Sequence, residues 1–132
     1  MKKFISMLVC VALVMTMFTA CSGSKALKTG LAVVSSASSS KEATADKDGT
    51  AQVDSTAVAV LVDDKGVIKS IVIDVVQTKF NFSATGEITT ELTKTFDSKK
   101  ELGDKYNMKG TSPIGKEWYE QAEALEKYVT GK

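Results

Sequence analysis

The chain has 132 residues, a formal net charge of +1, two cysteines and no histidine, and all 17 of its cationic residues are lysines. The missing histidine removes the commonest general acid–base, the commonest metal ligand and every Ser-His or Cys-His nucleophile pair, so composition argues against an enzyme. The lysines are balanced by 16 acids and interleaved with few aromatics, unlike the concentrated basic patch of a nucleic-acid binder.

The chain opens on Lys2-Lys3 and an uncharged run from Phe4 to Ala20, closed by Phe18-Thr19-Ala20-Cys21. A short basic region, an apolar stretch and a small residue before the cut make an export signal. Seventeen uncharged residues stand at the short end of what crosses about 30 Å of hydrocarbon. Phe18 is bulky where ordinary secretory cleavage wants a small side chain. Cysteine directly after Ala20 resembles a bacterial lipoprotein signal, which implies that Cys21 is lipidated, with palmitate or a similar chain, and begins the mature protein. The expected organisation is a signal peptide over 1–20, the lipidated cysteine and a flexible tether over 21–28, and one domain over 29–132. Two or more acyl chains give lasting attachment, so the expected location is the extracytoplasmic face of the cell membrane. Cys10 leaves with the leader and Cys21 is blocked, so the domain has no free thiol, disulfide or cysteine metal site. Without residues 1–20 its 15 lysines face 16 acids, a formal charge of −1.

Ser22 to Lys28 is small and polar, as a tether should be. A strand-like run follows over Gly30–Val34, fading into a Ser-, Ala- and Lys-rich loop that Asp48-Gly49 closes as a turn. Val53–Val62 and Val67–Val76 are rich in valine and isoleucine and flank Asp63-Asp64-Lys65-Gly66, the pattern of a hairpin. The second of these strands is apolar on both faces, which predicts a central position. Lys79–Phe82 and Glu87–Leu92 around Ser83–Gly86 predict a second hairpin. Ser98 and Glu101 form a capping box that opens a short helix running to about Tyr106. Ser112-Pro113 reads as an N-cap with proline at the first helical position. Ile114, Trp118, Ala122, Leu125 and Val129 then make an apolar stripe at helical spacing. The predicted fold class is α+β: an antiparallel meander of about four strands packed against one or two C-terminal helices.

Three places invite a ligand. Asp74 interrupts a buried strand, where an ionised carboxylate is costly unless paired or hydrogen-bonded; it either sits near the strand's end, pairs with a lysine such as Lys69 or Lys79, or meets a ligand. Gly110, Thr111 and Ser112 lead into a helix N-terminus, whose free N–H groups and dipole favour an anion. Tyr119 lies beside the apolar stripe, placed either to stack on a flat ligand or to cover a sheet edge. Asp46, Asp48 and Asp54 lack the spacing and closing glutamate of a calcium loop.

From about Gly30 onward the chain resembles a family of lipoproteins from Gram-positive anaerobes. The resemblance is carried by Gln52-Val53-Asp54-Ser55-Thr56 and by the tail from Tyr106 to Trp118. The turn with Gly66 between strands and the C-terminal helix also resemble extracytoplasmic FMN-binding domains linked to flavin-based electron transfer. Many of those attach flavin covalently to a threonine in an Asp/Ser-Gly-Ala-Thr-like motif. Here Ser83-Ala84-Thr85-Gly86 has a different order, so no covalent site carries over and the implied cofactor is non-covalent FMN. The sequence thus predicts a non-catalytic, membrane-anchored domain that binds a small anionic ligand. The alternative is a cell-envelope module that docks another exported protein and holds no small ligand.

Overall fold

The computed structural model describes residues 26–132; the leader, Cys21 and the tether up to residue 25 lie outside the described residues. One antiparallel sheet contains β1 (Lys28–Ser36), β2 (Gly49–Val62) and β3 (Ile68–Phe82), in that spatial order. The β-branched residues that dominate β2 and β3 have restricted side-chain rotation and pack well on a pleated surface. Their hairpin is fixed by Asp63, whose Oδ1 accepts the N–H groups of Lys65 and Val67, both at 2.9 Å. Its other oxygen meets Lys69 Nζ at 3.0 Å. Gly66, at φ +84°, takes the left-handed position that the turn requires.

The sheet has three strands, not about four. Glu87–Leu92 returns alongside β3 with a single bridge, Phe82 to Ile88, and leaves Ile88 and Leu92 exposed. Thr90 ends the ladder: its hydroxyl, not a strand carbonyl, accepts the Asn81 N–H at 2.7 Å. Nor is β3 central. It is an outer strand whose free edge is closed by other parts of the chain. Ile68 exchanges bonds with Gly131 and Lys132, Glu126 takes the Ile73 N–H, Ser98 bridges to Val76, and Thr89 bonds to Asn81.

The expected short helix is present as α1 (Lys99–Leu102), continued by a 3-10 turn over Gly103–Tyr106. Both halves of its capping box form: Ser98 Oγ accepts the Glu101 N–H, and Glu101 Oε2 accepts the Ser98 N–H. Asn107, at φ 58°, stops the run in the left-handed conformation. The last helix, α2 (Trp118–Val129), begins later than Ser112-Pro113 predicts. Ser112–Gly115 is a turn closed by a 3.0 Å bond from the Gly115 N–H to the Ser112 carbonyl, with Gly115 at φ +62°. Glu117 is the N-cap, and Glu120 accepts its N–H at 2.9 Å.

The predicted stripe is accordingly revised. Trp118, Ala122 and Val129 are shielded, but Ile114 precedes the helix and Leu125 stays exposed. Glu126 is shielded in place of Leu125. Both helices touch β3 and neither reaches β1 or β2. The pairing register puts Ile71, Ile73, Val75 and Gln77 on the covered face of the sheet and Leu31, Val33, Ala59 and Val72 on the opposite one. Among the described residues only Val75 (8% exposed) and Ala122 (7%) are buried apolar side chains. The core is thin and one-sided.

Candidate functional site

Asp74 has a structural task. Its Oδ1 accepts the N–H groups of Val75 at 2.7 Å and Lys100 at 3.2 Å, which sets its negative charge at the first turn of α1. Neither lysine expected beside it is its partner: Lys69 pairs with Asp63, and Lys79 lines a cleft described below.

The loop before α2 does present backbone donors to an anion, and the chain supplies that anion. Glu117 is 3% exposed, and its two carboxylate oxygens accept the N–H groups of Met108 and Lys109, each at 2.9 Å. Charge-assisted bonds of this kind are about twice as strong as neutral ones. Thr111 and Ser112 turn their N–H groups back to the Met108 carbonyl, and Ser112 Oγ accepts from Gln121 at 3.3 Å. Gly110 lies exposed in the same loop. Tyr119 donates its hydroxyl to Asp104 Oδ1 at 3.2 Å, tying α2 to the 3-10 turn, and that bond raises the phenol above its ordinary pKa. Thr111 and Ser112 thus share the Met108 carbonyl, whereas Asp74 and Tyr119 have partners of their own, and the predicted site residues do not converge on one contact.

A different place gathers the chemistry. Where β3 faces α1 and the 3-10 turn, a cleft of about 420 Å³ opens, within the range of small-molecule sites. Gln77 and Lys79 come from β3; Lys94, Phe96 and Asp97 from the segment that crosses its edge; Lys99, Lys105 and Tyr106 from the helical turns. Lys99 Nζ stands 4.7 Å from the Tyr106 ring centroid and 5.4 Å from that of Trp118, while Lys94 Nζ stands 5.4 Å from Phe96. Phe96 is held edge-on against Phe80, with centroids 5.4 Å apart. Ion pairs among the described residues engage Lys69, Lys100 and Lys116, and none engages the four lysines of the cleft. Gln77 is fixed by donating to Asp54 Oδ1 at 2.9 Å. That carboxyl is held below its usual range by hydrogen bonds from Gln52 and Gln77, aided by the charge of Lys99.

Four lysines and two aromatic side chains line the cleft, with Asp97 the one carboxylate in the lining, and Lys94 and Lys99 lie against rings, so the lining is predominantly cationic and aromatic. Sequence reading passed over these residues because lysines on turns are ordinarily solvated. The available signal was the interleaving of Lys94, Phe96, Lys99, Lys105 and Tyr106 within 13 positions. Among the described residues no cluster of acidic, cysteine or histidine side chains could hold a metal, and no helix is long and apolar enough to cross a membrane.

No family model matches the chain, and no solved structure matches it. It is similar to a chlorophenol reductase of Desulfitobacterium hafniense, 35% identical over 88 residues that span 58% of this chain and 27% of that protein. The chain thus covers about a quarter of that relative's length.

Proposed function

We propose that this protein is a lipid-anchored, extracytoplasmic binding module for a small anionic ligand with a flat aromatic part, FMN being the leading case. The observation that carries the ligand reading is the cleft, whose four lysines lack carboxylate partners among the described residues while its rings are already in cation–π contact. The phosphate of FMN suits the lysines, and its ring system suits the faces of Phe96 and Tyr106. The similarity to a reductase is compatible with a module that holds an electron carrier. With no histidine in the chain, the module is read as non-catalytic by itself.

The test is titration of FMN into the protein followed by flavin fluorescence. Saturable quenching is expected, weakening as salt shortens the screening length from about 10 Å at 0.1 M to about 3 Å at 1 M. Replacing Lys94 and Lys99 together by glutamate should weaken binding at least about tenfold, or about 1.4 kcal/mol. No quenching at millimolar FMN, or equal affinity in the double variant, rejects the site. A second reading, a cell-envelope module that docks an exported protein without any small ligand, is favoured by the bare face of the sheet.

A further inference from the structure

The two margins of the sheet are treated differently. The outer edge of β3 is covered along its length by Glu126, Ser98, Thr89 and the C-terminal Gly131-Lys132. All nine residues of β1 are exposed, with Leu31 at 76% and Val34 at 69%. Among the described residues no helix reaches them. Natural edges are guarded by charges, proline or bulges. β1 has none of these from Thr29 to Ser36, and it pairs with β2 without a register shift.

The direction of its free groups follows from the ladder. Ile73 and Val75 donate their N–H groups away from β2. Alternation across two antiparallel pairings then turns the N–H and C=O groups of Thr29, Leu31, Val33 and Ser35 outward. We propose that this edge docks a second copy of the chain, the two β1 strands pairing antiparallel about a twofold axis at Ala32.

That arrangement uses the whole strand. Leu31 meets the second copy's Val33, Thr29 meets its Ser35, Gly30 meets its Val34, and Lys28 meets its Ser36. Apolar opposes apolar, polar opposes polar, and no like charges are opposed, as a self-complementary twofold contact requires. A seam of nine residues is about 30 Å long and buries on the order of 1,000 Å² over both partners, at the low end of specific interfaces. This inference is independent of the ligand reading.

Disulfide trapping tests it on the full chain in detergent. At the twofold the two Ala32 residues face each other as a non-hydrogen-bonded pair with Cα atoms about 4.5 Å apart, within disulfide reach. The two Ser36 residues lie about 27 Å apart. Under mild oxidation Ala32→Cys should give a reducible band of doubled mass, at least about tenfold stronger than Ser36→Cys or the unsubstituted chain. Sedimentation of the unsubstituted chain should show a reversible dimer that Leu31→Glu reduces to monomer and that Leu125→Glu, on an exposed helix position, leaves intact. Equal trapping at 32 and 36, a monomer at 100 µM or more, or a mixed band with a different protein in place of the doubled one overturns the proposal.

Discussion

Removing the Glu126 carboxylate should cost this domain a large part of its stability. Its Oε1 accepts the Ile73 N–H and Lys100 Nζ, each at 2.6 Å, so one oxygen joins α2 to both the sheet edge and α1. The side chains of Lys100 and Glu126 are 22% and 14% exposed. A hydrogen bond to a charged group contributes about 1.5–3 kcal/mol, and an orphaned, partly shielded N–H costs about 1–3 kcal/mol. Partial solvent access discounts both, which leaves about 2 kcal/mol for Glu126→Ala. Glu126→Gln keeps an acceptor for Ile73 and loses the charge pair, so about 1 kcal/mol is expected. Against a total of roughly 5–15 kcal/mol the alanine variant is a severe change, lowering Tm by about 10 °C. Urea denaturation of residues 22–132 followed by circular dichroism measures it. Lys100→Met should cost about 1 kcal/mol, and the double variant less than the sum, because the two side chains share one bond. An alanine variant within about 0.5 kcal/mol of the unsubstituted domain would refute the reasoning.

Other outcomes are expected. Radiolabelled palmitate should enter the unsubstituted product and not Cys21→Ala; equal labelling removes the anchor reading. Asp54 and Asp63 titrate below the usual aspartate range, Asp54 through the Gln52 and Gln77 bonds and Asp63 chiefly through Lys69. Depressed carboxyls stabilise the fold above their unfolded pKa, so the urea midpoint should fall as pH drops below about 4 and fall less in Asp63→Asn. A slope unchanged by that substitution would exclude Asp63 as a source. Gly49 is buried where an added methyl would overlap the Phe82 ring and the Ala43 backbone, so Gly49→Ala should cost about 2–3 kcal/mol by thermal melt. A neutral result would show that both the Phe82 ring and the Ala43 backbone can move clear.

Local rules were legible in the sequence where they are strong. The Asp63–Gly66 hairpin, the Ser98–Glu101 capping box and the end of the short helical run at Tyr106 are short-range chemistry, and each stands where its residues predict. Long-range placement was not. The apolar character of β3 on both faces reads as a central strand, yet the shielding comes from helices on one face and from a covered edge. Ser112-Pro113 has the composition of a helix start, but Gly115 breaks the path and Glu117 claims the role with a carboxylate seated on Met108 and Lys109. The cleft lysines come from a strand, a crossing segment and two helical turns, and only the fold brings those together.

The covered margin of β3 sets how far association by strand pairing can go. With one side of each sheet sealed by its own chain, the proposed pairing through the open side would consume the one free ladder among the described residues and end at a pair. Growth into a fibril would first have to strip Glu126, Ser98 and the C-terminal residues from the sealed side. On the proposed pairing, an unguarded strand bearing Leu31, Val33 and Val34 is compatible with a protein that does not polymerise.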